Sequence, residues 1–257
     1  MNRVKFIKKI RKKLKNNKKT SIGSWIQIPH PSIAEIMGAA GFDWVAVDME
    51  HGSISHHQLP DLFRSLELGN TLPFARVAKA CPMLCKQALD AGAAGIILPM
   101  IENAKQLLSI KTLCSWPPKG LRGVGFSRAN LFGKNFQNYR VEAQSPFIIA
   151  MIETIEAIKN IEEILSVEGL DAIMIGPYDL TASMNITGKF NNIKFKSAIR
   201  NILNKCKKAK VPAGIHIIEP LQKELNKRIL EGYKFLAYSI DAVMLSKSCK
   251  IFKKKDI

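Results

Sequence analysis

Eight short apolar runs punctuate this chain: Ser21 to Gln27, Asp43 to Asp48, Leu72 to Val77, Gly95 to Met100, Phe147 to Ile152, Ala172 to Ile175, Val211 to His216 and Phe235 to Ser239. In the clearest of them, Phe147-Ile-Ile-Ala-Met-Ile152 and Ala172-Ile-Met-Ile175, the hydrophobic residues are consecutive. That pattern suits strands covered on both faces of a parallel sheet. The stretches between them read as helices. Ile155 to Leu170 has the length of one covering helix with its loops, and Pro220 to Leu230 is amphipathic. After the first run, Pro29-His-Pro31-Ser32 predicts a turn and a helix start, with Ser32 and Glu35 at capping-box spacing. Strands alternating with helices, without a linker, predict an α/β fold, a single (β/α)8 barrel over 21–257 rather than a doubly wound sheet. One connection is long, Cys114 to Ser145. A loop of that length in a compact domain is more often functional than slack.

Ahead of the first strand, Val4, Ile7, Ile10 and Leu14 recur at helical spacing among lysines and arginines. Residues 1–20 therefore predict a basic amphipathic helix laid on the barrel or on a partner subunit. The formal charge of +18 over 257 residues sits largely in this segment and in the tail Lys247 to Lys255. Nucleic acid or an anionic membrane is the sharper alternative for such ends, but a lysine-rich segment often just solvates a surface, which argues against both. No apolar run reaches the roughly 18 residues of a membrane helix. Five cysteines, with no CxxC pairing, argue against a disulfide framework and a thiolate zinc site. With no secretory signal pattern at the N-terminus, the expected compartment is the cytoplasm.

Chemistry enters where two runs stop at carboxylates, Phe147–Ile152 at Glu153 and Ala172–Ile175 at Gly176-Pro177-Tyr178-Asp179. As neighbouring strands they place Glu153 and Asp179 at one carboxyl edge, where barrels keep their ligands. Two converging carboxylates need a cation between them, and oxygen donors suit Mg or Mn better than Zn. The alternative is structural: Glu153 capping or salt-bridging the next helix, Asp179 an N-cap. The second strand delivers Asp48-Met49-Glu50-His51-Gly52, in which His51 is a candidate general base with its tautomer set by Asp48, or simply a local hydrogen-bonding group. His56 and His57 follow in a segment expected to be exposed. Arg76 ends the third strand; burying it requires a fixed anion, so it is either paired with a carboxylate or reserved for an anionic substrate. The fourth strand end offers no acid, base or nucleophile. Gly120-Leu-Arg-Gly-Val-Gly125-Phe-Ser-Arg128 lacks the strand-to-helix context of a dinucleotide site, and no lysine is placed for Schiff-base chemistry. Together these residues suit chemistry on a 2-oxo acid whose enolate is stabilised by metal and arginine.

Five segments, Trp44 to His51, Gln87 to Ala93 running on to Leu98-Pro-Met100, Pro117 to Gly125, Ile152-Glu-Thr154 and Gly176 to Ser183, resemble in order and spacing the HpcH/HpaI aldolase family. These are class II pyruvate aldolases, relatives of 2-keto-3-deoxy-rhamnonate and 4-hydroxy-2-oxo-heptanedioate aldolases. The resemblance implies a modified barrel of the phosphoenolpyruvate/pyruvate-binding type, with Glu153 and Asp179 as ligands of a divalent metal (Mg, Mn or Co). It implies Arg76 on the pyruvyl oxygen and enolate, Gly176, Pro177 and Asp179 against the substrate, and His51, oriented by Asp48, as acid/base for the substrate hydroxyl. The implied reaction is reversible retro-aldol cleavage of a 4-hydroxy-2-oxo acid to pyruvate and an aldehyde; a citryl- or malyl-CoA-type lyase and a non-catalytic scaffold binding acidic partners are the alternatives. A homo-oligomer, a hexamer of helix-exchanging dimers, is the implied assembly. This chain departs from the family pattern at Met151, where relatives often have Gln, at His216, where an apolar or small residue is usual, and at Phe126-Ser127-Arg128.

Overall fold

The computed structural model describes residues 2–16 and 19–249. The strands β1 (Ser21–Ile26), β2 (Trp44–Asp48), β3 (Leu72–Arg76), β4 (Gly95–Leu98), β5 (Phe147–Ile152), β6 (Ala172–Ile175), β7 (Ala213–Ile217) and β8 (Phe235–Ile240) pair in sequence order and close into a barrel, all parallel. The expected (β/α)8 barrel is the observed fold. Outward-facing strand residues such as Val45, Ile96, Ile148 and Ile215 pack under the surrounding helices, while Trp44, Phe74, Phe147 and Phe235 fill the interior. The Trp44 and Phe235 rings stack at 4.4 Å. Gly23 makes room for them, since a Cβ there would lie 2.1 Å from the Trp44 indole.

The helix α1 (Arg3–Lys15) closes the barrel floor: Ile7, Ile10 and Leu14 are buried against that aromatic interior. Of the two expected docking surfaces for this stripe, its own barrel is the one used. Ion pairs fix the helix around its rim, Arg3 with Glu142 at 2.5 Å, Arg11 with Asp171 at 2.6 Å and Lys13 with Asp43 at 2.6 Å. With its apolar face consumed, α1 has only its lysine face to offer a membrane, and no described helix is long and apolar enough to cross one. Residues 250–255 of the basic tail lie outside the described residues. Replacing Ile10 by alanine is expected to lower unfolding free energy by about 2–4 kcal/mol while leaving catalysis intact, because the cavity opens at the end of the barrel opposite the strand carboxyl edge. Denaturant melts and turnover on one preparation check this.

Two local expectations are corrected. The helix α2 (Pro31–Ala39) begins two residues early, capped by the His30 imidazole accepting from the Ser32 N–H, so no Ser32–Glu35 box forms; Pro31 takes the first helical position, where its fixed φ fits and no N–H is missed. The segment after β5 is two short helices, α3 (Ile155–Lys159) and α4 (Ile161–Leu165), broken at Asn160, whose Nδ2 donates to the Glu102 carbonyl at 2.9 Å. The long connection is ordered, with a 3-10 turn (Arg128–Asn130) and a helix (Phe136–Ala143) whose Tyr139 and Ala143 join Trp116 and Ala129 in a small core.

Candidate active site

At the carboxyl edge β2 and β3 end in register, Asp48 opposite Arg76. The guanidinium meets the carboxylate as a fork, Nε to Oδ1 at 2.9 Å and Nη2 to Oδ2 at 2.7 Å, and rests over the Trp25 ring at 4.6 Å. Burial works against the charge on both groups, but the paired hydrogen bonds dominate; Arg76 is held above its usual range and Asp48 below its own. The sequence left Arg76 open between a protein carboxylate and a substrate anion; it has the first. Its free face carries Nη1, 3.2 Å from Glu50 Oε2 and 4.0 Å from the Met151 sulfur.

This pairing changes the reading of Asp48. Both carboxylate oxygens are engaged, by Arg76, by Gln27 Nε2 at 2.8 Å and by the backbone N–H groups of Glu50 and His51. Asp48 therefore orders the loop that carries His51 rather than its imidazole. The His51 ring stands at the rim with its side chain 56% exposed and Nε2 3.8 Å from Glu50 Oε2. His56 and His57 are exposed, as expected.

Glu153 follows β5 and is buried, and the structural alternatives for the two carboxylates are taken by other residues. Thr154 caps α3 through its hydroxyl, which accepts from the Ala157 N–H at 3.0 Å, and Gly176 occupies the N-cap of α5 (Pro177–Ser183), leaving Asp179 in the first turn, exposed at the mouth. Glu153 Oε2 accepts from the Met100 N–H at 2.9 Å, a bond made possible by Met100 sitting at φ 53, in the left-handed region. A Cβ on Gly176 would lie 2.4 Å from Glu153 Oε1, so the glycine is what lets the carboxylate lie flat across the strand end. Burial, reinforced by the charges of Glu50 and Asp179, pushes the Glu153 carboxyl up to about 7. Burial likewise raises Glu50, whose Oε2 has no hydrogen-bond partner.

The mouth thus holds Asp48, Glu50, Glu153 and Asp179 against one guanidinium. Three carboxylates beyond the Arg76–Asp48 pair repel an anionic substrate unless a cation joins them, and their oxygens are the donor set of a hard divalent ion. Among the described residues no cluster of three or more His, Cys, Asp or Glu is disposed around one ion. Glu153 and Asp179 are the pair of oxygen donors the sequence offers for it, and two protein ligands leave the rest of the shell to water and substrate. Gly176→Ala should displace Glu153 and weaken Mn binding about tenfold or more with little change in melting temperature, read by calorimetric titration; unchanged affinity would exclude Glu153 as a ligand.

Gln27, Glu50, Trp25 and the Met100 N–H are members of this site to which the sequence assigned no role. Glu50 had a signal, lying between Asp48 and His51 on the same strand end. Met100 had none, because its part is played by backbone conformation.

Residues 21–247 match the profile of the family described as HpcH/HpaI aldolase/citrate lyase. The chain is similar to the 2-dehydro-3,6-dideoxy-6-sulfogluconate aldolase of Pseudomonas putida, 34% identical over 230 residues that cover 88% of this chain and 89% of the relative. It is also similar to a hydroxypyruvate/pyruvate aldolase of Agrobacterium fabrum, 33% identical over 226 residues, with coverage of 87% and 84%. Among solved structures, an HpcH/HpaI aldolase/citrate lyase family protein from Burkholderia cenocepacia J2315 superposes with a TM-score of 0.87 at 28% identity, covering 93% of this chain and 95% of that one.

Proposed function

Because this chain belongs to the HpcH/HpaI aldolase/citrate lyase family, and is a carbon–carbon lyase, we propose that it runs the reversible cleavage of a 4-hydroxy-2-oxo acid to pyruvate and an aldehyde with a divalent metal held by Glu153 and Asp179. The observation that carries this reading is the buried Arg76, locked by Asp48, with the carboxylates of Glu50, Glu153 and Asp179 gathered at the same strand edge. Mg, Mn or Co, once bound, supplies Lewis-acid polarisation of the keto group.

The residues of the chain do the rest. Arg76 is preorganised by Asp48, so its Nη1, shared with Glu50, stabilises negative charge as it builds on the enolate oxygen. His51, at the rim and beside Glu50, takes the proton of the C4 hydroxyl as the C3–C4 bond breaks. The electron pair of that bond passes into the pyruvate enolate, and a proton delivered to C3 completes pyruvate. Gly176 and Pro177 open the helix beside Glu153, where the small glycine leaves space for the Glu153 carboxylate and the substrate would lie against this turn. The named relatives are aldolases, which favours an aldehyde product over the thioester of a citryl- or malyl-CoA-type reaction.

The assembly in this reading is a homo-oligomer, hexameric by family likeness. Leu121, Val124, Phe126, Leu131 and Phe132 expose apolar surface along the β4–β5 connection, as a subunit contact would require. Its cysteines are free, as in a reducing cytoplasm. The decisive test incubates the purified protein with Mn, pyruvate and a panel of short and sugar-derived aldehydes, following formation of the 4-hydroxy-2-oxo acid and its cleavage in reverse. Absence of carbon–carbon bond formation or cleavage with every 2-oxo acid offered would refute it.

A further inference from the structure

Inside the barrel, beside Arg76, lies a polar group the reaction above does not use. On β7, Ala213, Ile215 and Ile217 point outward into the helical core, so the alternation of the strand turns His216 inward. Its register partner Ala237 belongs to the interior packing. The imidazole stands edge-on to Trp25 at 5.8 Å, and the other side of the Trp25 environment is Arg76. The surrounding interior is aromatic and aliphatic. His216 Nε2 is nevertheless buried with no hydrogen-bond partner, as is Trp25 Nε1.

An unpaired polar nitrogen in such surroundings is destabilising, and a leucine would fill the same volume without that cost. The residue as a whole is only partly buried, and it lies within electrostatic reach of Arg76 and Asp48 at the strand carboxyl edge. A backbone hydrogen bond to Ser239 holds the ring in place, so Nε2 is the nitrogen left to meet an arriving ligand, and it has no bond to surrender in doing so. Burial, together with the charge of Arg76, pushes the imidazole down to about 4, so it is neutral at pH 7 and does not compete with Arg76 for the substrate's negative charge. A neutral imidazole beside an indole N–H is matched by a group that both donates and accepts. A hydroxyl does both.

We propose that His216 is the specificity-determining residue of this barrel, selecting a substrate that carries a hydroxyl beyond those the bond cleavage itself requires. The inference rests on the aldolase reading. The hydroxyl can belong to the aldehyde or to C3 of the 2-oxo acid, and two pairs of substrates separate these sources: lactaldehyde against propanal with pyruvate, and hydroxypyruvate against pyruvate with one aldehyde.

The wild-type protein should prefer the hydroxylated member of one pair by about tenfold or more in kcat/KM, since a site built around a hydroxyl rejects the analogue that lacks it. His216→Leu should bring that ratio close to unity by lowering only the hydroxylated substrate's kcat/KM, and His216→Gln should restore part of it. Each ratio is internal to one preparation, so a lower folded fraction does not mimic the effect. Exchange of the pyruvate methyl protons with solvent deuterium reads the shared pyruvate half independently. Exchange retained in the wild type and in His216→Leu, with the substrate ratios unaltered, overturns the role of His216 alone. Absence of exchange in the wild type overturns the aldolase reading and this inference with it.

Discussion

Arg76→Ala is expected to lower kcat/KM for retro-aldol cleavage by about 10²–10³-fold and, independently, to destabilise the fold by about 3–5 kcal/mol. The first effect follows from removing a donor aimed at the enolate oxygen in a site with little water. The second follows from what remains: Asp48, almost fully buried, would keep Gln27 and two backbone N–H groups but lose the charge that holds its carboxyl ionised. Its pKa would rise, and the β2 loop carrying Glu50 and His51 would loosen with it. Arg76→Lys separates the two effects, since an ammonium keeps the charge but cannot form the fork; stability should recover more than turnover. Pyruvate release and denaturant unfolding measure the pair. A kcat/KM within threefold of wild type for Arg76→Ala would remove the guanidinium from the mechanism.

The barrel was legible because strands covered on both faces must be apolar throughout, and Ile148-Ile-Ala-Met-Ile152 has no polar residue to spend on solvent. Carboxylates ending such runs were legible for the complementary reason: a charge at the close of a buried strand needs a purpose. Partnership was less visible. Asp48 stands three residues before His51 in sequence and twenty-eight before Arg76, yet register puts the arginine opposite it and the histidine ring outside. Proximity along the chain suggested one partner where the strand ladder dictated another. The left-handed Met100, the cap supplied by His30 and the kink at Asn160 depend on where the chain must go after a strand, which residue type alone does not encode. Likewise, the small core of Trp116, Ala129, Tyr139 and Ala143 gathers residues spread through the β4–β5 connection with no period to announce it.

Removing the divalent ion, or the Glu153 carboxylate that would hold it, is expected to abolish pyruvate release by at least about 10³-fold, and the two losses should differ in their effect on stability. In the metal-free protein Glu153 is a buried acid crowded by Glu50 and Asp179, with its carboxyl raised from 4.5 to about 7. Between those values the unfolded chain has released the proton and the folded one retains it, so stability is full below pH 4.5 and falls as pH rises through 7, by roughly 3 kcal/mol. Glu153→Gln removes that slope because the amide carries no proton to release, and it fills the same space against Gly176 and the Met100 N–H. The variant should therefore be more stable than metal-free wild type at pH 8 and inactive at every Mn concentration. Added Mn should stabilise the wild type and restore its turnover after chelation, but leave Glu153→Gln unmoved. Activity that persists through both chelation and Glu153→Gln would show that Glu153 serves neither metal nor reaction.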